Sequence, residues 1–221
     1  MTEPQPIYLL PGESVTIEAR EPDAPSEHPW TDARQDFPIN TSPDNPWFVA
    51  NGVNAWPRRT TDQINSITIH HTMSHKPFGL ANWIVHPYAQ GGKGLPTTQY
   101  TFWVVITGEI MLCVDIEDAL WHDNGGFPSH HLSIGLAGRW DQEAPPTVQM
   151  RAAADLCKYL MQVYPSIKTI KGHCDYFSTV CPGWNEAGWK DQFYNMLSPT
   201  PSYALRFMPT TPDYSEICEA E

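Results

Sequence analysis

Residues Gly172 to Gly183 constrain this chain more than any other stretch. The run Gly-His-Cys-Asp-Tyr-Phe-Ser-Thr-Val-Cys-Pro-Gly sets an imidazole at His173 and a thiol at Cys181, with seven residues between them. Both are ligand types that zinc prefers, and a loop of that length can turn them toward one point. Two ligands do not make a site, so a third must come from elsewhere. About a hundred residues upstream, Ser66-Ile67-Thr68-Ile69-His70-His71-Thr72 is a β-branched run that ends in two histidines, the signature of a strand. Successive strand side chains face opposite ways, so one of His70 and His71 can reach a given site and the other cannot. The fold is expected to bring this strand end against the 173–181 loop around one zinc ion.

At 221 residues the chain can bury a substantial core, and it suits one domain with extensions better than two domains. Its nine Trp, nine Tyr and eight Phe supply large apolar side chains for that core. The formal charge of −12 argues against nucleic acid and anionic membranes as partners. Five cysteines, Cys113, Cys157, Cys174, Cys181 and Cys218, are too few and too irregular for a disulfide scaffold. With Cys181 as a ligand, a bridge from Cys174 to another cysteine stays open, and so does the redox compartment. The first residues lack a basic segment followed by an apolar stretch, and no run reaches the length of a membrane span. No export signal is therefore expected.

Ten of the 22 prolines fall in the first sixty residues, which reads as an irregular arm (1–60) rather than a separate binding module. A short strand is expected at Ser14–Glu18, and Trp47-Phe48-Val49 and Trp56 are candidates to pin the arm. Asn40-Thr41-Ser42 fits a glycosylation pattern but is too short to argue from. Residues 61–197 carry alternating strand and helix signals. A helix is expected over Leu80–Tyr88, with Leu80, Trp83 and Ile84 on its inner face. Gln90-Gly91-Gly92-Lys93-Gly94 lacks the phosphate-loop pattern and reads as a flexible connection. Tyr100–Ile106 and Ile110–Val114, joined by Thr107-Gly108-Glu109, read as a hairpin. A strand follows at Leu132–Ala137. Pro145-Pro146-Thr147 announces a helix capped by Thr147, with Ala152, Leu156, Tyr159, Leu160 and Val163 as its core stripe. A strand at Lys168–Ile170 leads to His173, and a last helix runs near Glu186–Leu197 with Trp189, Phe193 and Leu197 on one side. Residues 198–221 return to proline and read as a surface extension.

Five motifs then stand in one order: Ile69-His70-His71-Thr72, Tyr100-Thr101-Phe102, Leu120-Trp121-His122, Leu132-Ser133-Ile134-Gly135, and Gly172-His173-Cys174-Asp175 through Cys181-Pro182-Gly183. In these the chain resembles the zinc-dependent N-acetylmuramoyl-L-alanine amidases of the type-2 family, which includes phage lysozyme-type amidases and peptidoglycan recognition proteins. The likeness covers roughly Asn65 to Leu197. It implies an α/β fold, a central mixed β-sheet flanked by helices, with a zinc-floored groove for the glycan-peptide junction of peptidoglycan. The implied metal ligands are His70, His173 and Cys181, with His71 on the other side of its strand. Three protein ligands leave zinc an open fourth position, as in catalytic sites.

The same resemblance implies catalytic roles for Tyr100 and Thr179 as donors to the oxyanion, and a substrate-binding role for His122. His130 and His131 are weaker candidates of the same kind. Neither Tyr100 nor Thr179 is an obvious general base, and Tyr100, His122 and a carboxylate such as Glu143 stay open for proton transfer. Asp175 is placed to orient backbone or ligand groups. The chain departs from the family at Cys174, where arginine often follows the second ligand histidine, and at Thr101, where histidine commonly follows the tyrosine. The implied activity is hydrolysis of the amide between N-acetylmuramic acid and L-alanine of the stem peptide, by a monomer acting as a phage endolysin or a bacterial cytoplasmic enzyme. Two alternatives use the same residues: peptidoglycan binding without catalysis, and a Cys-His hydrolase with Cys181 as nucleophile.

Overall fold

The computed structural model describes residues 28–41, 49–50, 53–87, 90–123 and 130–198. The strand expected at Ser14–Glu18, the Trp47-Phe48 pair and the extension from residue 199 lie outside them. The strands are β1 (Thr31–Asp32), β2 (Val49–Ala50), β3 (Val53–Asn54), β4 (Ser66–His71), β5 (Phe102–Val104), β6 (Ile110–Leu112), β7 (His131–Leu136) and β8 (Thr169–Gly172). The helices are α1 (Pro77–Val85), α2 (Thr147–Val163) and α3 (Lys190–Leu197). Six strands form one mixed sheet in the order β1-β6-β5-β7-β4-β8, while β2 and β3 pair separately. The expected hairpin is present as the antiparallel β5–β6 pair, and the other neighbours in the sheet run parallel.

Strand alternation divides the core between the two faces of the sheet. Ile67, Ile69, Phe102, Val104, Leu132, Ile134 and Leu136 pack against α2 and α3 on one face. Trp103, Val105, Met111 and Cys113 pack on the other against Ala81 of α1 and against Ala33 and Phe37. That second face draws on residues upstream of 61. β1 pairs with β6 (Thr31 with Met111), although two residues are too short to show any alternation in sequence. Trp56 is buried against Ile84, Leu95, Val114 and Leu120.

Helix boundaries differ from the expected ones for local reasons. α1 starts three residues early because Pro77 suits the first helical turn. It stops at Val85 because His86 precedes Pro87 and is extended, φ −59° and ψ 141°. Trp83 is 45% exposed rather than internal, and its Nε1–H donates to Gly91 O at 2.8 Å. In α2, Thr147 is the first helical residue and Pro146 takes the cap position. The buried stripe is Met150, Ala153, Ala154, Leu156, Cys157 and Leu160, and Val163 at its end is exposed. Gln149, fully buried, clamps α2 to the sheet by donating from Nε2 to Val104 O and Ala137 O. α3 begins at Lys190, after Trp189, and turns Phe193 and Met196 into the core beside Trp184 and Trp189. A large-to-small change at either tryptophan costs about 3–5 kcal/mol. No described helix is long and apolar enough to cross a membrane.

Candidate metal centre

β4 separates the two histidines as strand geometry requires. Ile67 and Ile69 face α2 and α3; His71 follows them, its Nδ1 accepting the Trp140 N–H at 3.2 Å. Ser66, Thr68 and His70 face the other way, toward Tyr176, Asp123 and His122. β8 lies parallel to β4 with Ile69 opposite Gly172. His173 is therefore delivered beside His70, ring centroids 4.7 Å apart.

The loop beyond His173 is closed by its own backbone. His173 opens a 3-10 turn ending at Asp175, whose Oδ2 accepts the Gly172 N–H at 2.8 Å while Oδ1 meets Lys190 Nζ at 3.1 Å. Cys174 N–H donates to Cys181 O at 2.7 Å. Thr179 Oγ1 accepts the Cys181 N–H at 3.2 Å, and His71 N–H points at Cys181 Sγ, 3.4 Å away. Gly183 lets the chain leave the site: φ is +99°, and a Cβ there would sit 1.8 Å from Trp140 O.

One ligand atom from each of His70, His173 and Cys181 lies within 4.8 Å of the others. Cys181 Sγ is 3.7 Å from His70 Nδ1. His173 Nε2 is buried and meets no hydrogen-bond partner in the described structure. Two nitrogens and a sulfur are a zinc donor set, and a buried imidazole nitrogen without a partner is satisfied by a cation. These residues fit zinc.

The proton positions follow from the acceptors. His131 O, a carbonyl, can only accept, so His122 Nε2 at 3.2 Å carries the proton. Burial pushes the pKa of His122 down to about 4, which keeps the ring neutral and leaves Nδ1 as an acceptor. His70 Nε2, 3.0 Å away, is then the donor. Burial also holds His70 neutral, so its Nδ1 keeps a lone pair on the side of Cys181. His122, expected on the groove, has a side chain 1% exposed and stands behind His70 instead. Asp123 Oδ2 accepts from Thr68 Oγ1 at 3.3 Å and from His131 Nδ1 at 2.5 Å. His131 stacks on Tyr176 at 4.7 Å.

Tyr100 is half-buried with its ring toward the edge of His70, centroids 5.6 Å apart. Gly135 makes room for it, since a Cβ there would lie 2.9 Å from the tyrosine ring and 2.8 Å from the Thr72 methyl group. Burial raises the phenol pKa far above its ordinary value, so the hydroxyl keeps its proton. Burial likewise pushes the Cys181 thiol up to about 12. Thr101 is buried and bonded to Ser133. Glu143 is exposed, and no described contact joins it to Tyr100 or to the three clustered residues. Cys113, Cys157, Cys174 and Cys181 are free; Cys218 lies outside the described residues.

Sequence reasoning missed Asp123 and Tyr176, which back this site, and Lys93 and Gln99 beside it. Asp123 follows His122 directly, and that adjacency was a usable signal. Lys93 and Gln99 carried none.

Residues 60–184, more than half of the chain, match the family model described as N-acetylmuramoyl-L-alanine amidase. No curated protein sequence matches the chain. Among solved structures, it is similar to the N-acetylmuramoyl-L-alanine amidase LysC from Clostridium intestinale URNW, with a TM-score of 0.54 at 23% identity over 66% of this chain and 94% of that one. It is also similar to the Ph2119 endolysin from the Thermus scotoductus MAT2119 bacteriophage Ph2119, with a TM-score of 0.52 at 18% identity over 76% and 98%. The Drosophila peptidoglycan recognition protein SD gives a TM-score of 0.53 at 15% identity over 81% and 99%. At these identities the likeness speaks for the fold, a mixed sheet flanked by helices.

Proposed function

The chain belongs to the N-acetylmuramoyl-L-alanine amidase family, and on that footing we propose that it is a zinc-dependent peptidoglycan hydrolase cleaving the amide between N-acetylmuramic acid and L-alanine. The observation that carries this reading is the cluster of His70, His173 and Cys181, whose ligand atoms lie within 4.8 Å of one another.

His70 through Nδ1, His173 and Cys181 would hold the metal, with a fourth position left for substrate or water. Zinc, when bound, supplies a Lewis acid that polarises the amide carbonyl and makes a water nucleophilic near neutral pH. Tyr100 keeps its proton and donates a hydrogen bond to the oxygen that gathers charge as the carbonyl is attacked. Thr179 accepts the Cys181 N–H on Oγ1, which fixes the hydroxyl and leaves its own proton to donate at the same oxygen. The His71 N–H directed at Cys181 Sγ favours the thiolate. His122 acts from behind, by holding the His70 tautomer.

Two features weigh against the other readings. Recognition without hydrolysis does not require a full ligand set, and here all three ligands converge. A Cys-His nucleophile needs a thiolate beside an imidazolium, yet burial pushes Cys181 up and His70 down. The test is release of L-alanine amino termini from purified peptidoglycan in the presence of zinc. Undiminished release by Cys181→Ser would refute the assignment.

A further inference from the structure

Lys93 lies in the loop between α1 and β5, which sequence reading treated as a flexible connection. The loop is instead pinned by its backbone: Gly92 N–H donates to Pro87 O at 3.2 Å, Gly94 N–H to His86 O at 2.6 Å, and Leu95 N–H to Ile84 O at 3.1 Å. Lys93 is half-buried on this support. Its Nζ donates to Gln99 Oε1 at 2.6 Å and stands 5.6 Å from the centre of the Trp83 ring. Gln99 is itself held, its Nε2 donating to Trp121 O at 2.6 Å. Gln99 directly precedes Tyr100, whose ring meets the edge of His70, so the ammonium is held on the Tyr100 side of the metal centre.

The partners of Lys93 are neutral. Arg34, Arg58, Arg139, Lys158 and Lys190 each pair with a carboxylate. Lys93 meets none among the described residues, in a chain of formal charge −12. An ammonium partly withdrawn from water against a neutral amide and an indole face carries a desolvation cost that no anion of the described protein offsets. Two of its three N–H donors remain for a ligand.

We propose that Lys93 is a specificity residue that binds the free α-carboxylate of the second stem residue, the D-glutamate that follows L-alanine in peptidoglycan. This rests on the amidase reading. The chemistry of the substrate selects that group: muramic acid spends its carboxyl in the scissile amide and the glycan is otherwise neutral. The first anion along the peptide is therefore the glutamate carboxylate, about two residue lengths or roughly 7 Å from the bond cut. Trp83, 45% exposed, gives an apolar wall beside the ammonium. An isoglutamine amide at the same place offers no charge to Lys93.

The test compares the zinc-loaded intact chain on two muramyl tripeptides that differ only in glutamate or isoglutamine at the second position. The wild type is expected to favour the free carboxylate in kcat/KM by about tenfold, and the preference should shrink in high salt. Lys93→Met is expected to bring the ratio to about one, while Lys93→Arg retains it and guards against loss of fold. An unchanged preference in Lys93→Met, or no preference in the wild type, would overturn the proposal. If neither tripeptide is hydrolysed, the amidase reading fails, and calorimetric binding of the two product peptides still decides for Lys93. Equal affinity, or no binding of either, would then overturn it.

Discussion

His70 Nε2 and His122 Nδ1 lie 3.0 Å apart inside the protein, and the carbonyl of His131 settles which of them carries the proton. The outcome is that His70 presents its other nitrogen to Cys181. Replacing His122 by Ala removes the acceptor and frees both ring orientation and tautomer. Zinc affinity is expected to fall about 10–100-fold, read by competition with a chromogenic chelator. Unchanged affinity in a folded His122→Ala protein would contradict this role.

Gly135 serves Tyr100 in a similar way, by absence of a side chain. Gly135→Ala places a methyl group within 2.9 Å of the tyrosine ring and 2.8 Å of the Thr72 methyl. The ring, only partly buried, is the part that can yield. Overpacking is expected to cost about 1–3 kcal/mol of stability and to reduce kcat while zinc content stays at the wild-type level. Wild-type turnover together with wild-type stability would show that Tyr100 has room to spare.

Both devices show where the sequence was legible. The alternation of Ser66–His71 is enough to put His70 and His71 on opposite faces, and the spacing of His173 and Cys181 is enough to propose a loop that closes on itself. What could not be read depends on contacts between distant segments. His122 looks the same in sequence whether it lines a groove or stands behind a ligand; the acceptor at His131 O decides. Lys93 looks like loop solvent exposure until Gln99 and Trp83 are folded onto it. β1 is invisible because two residues carry no period, and α1 shifts because Pro77 begins a helix as readily as it ends one.

Burial of neutral imidazoles has a consequence for acid stability. His122 falls from 6.5 to about 4 on folding, chiefly through desolvation, so the unfolded chain binds the extra proton between those values. Stability of the zinc-free protein should drop as the pH falls through that window, by roughly 3 kcal/mol from this residue alone. His70 and His173, also lowered by burial, act with the same sign. Urea unfolding at intervals from pH 7 to pH 4.5 checks the slope, and a flat profile would contradict it.

The central claim is that His70, His173 and Cys181 hold one zinc that hydrolysis requires. The most direct measurement is zinc content beside release of L-alanine amino termini from purified peptidoglycan, for the intact chain and for His173→Ala, before chelation, after it and after zinc is restored. The account predicts one zinc per chain, with activity lost on chelation and recovered on return of the metal, and neither zinc nor activity in His173→Ala. Full turnover by the chelated protein, or an intact chain that binds no zinc, would contradict it.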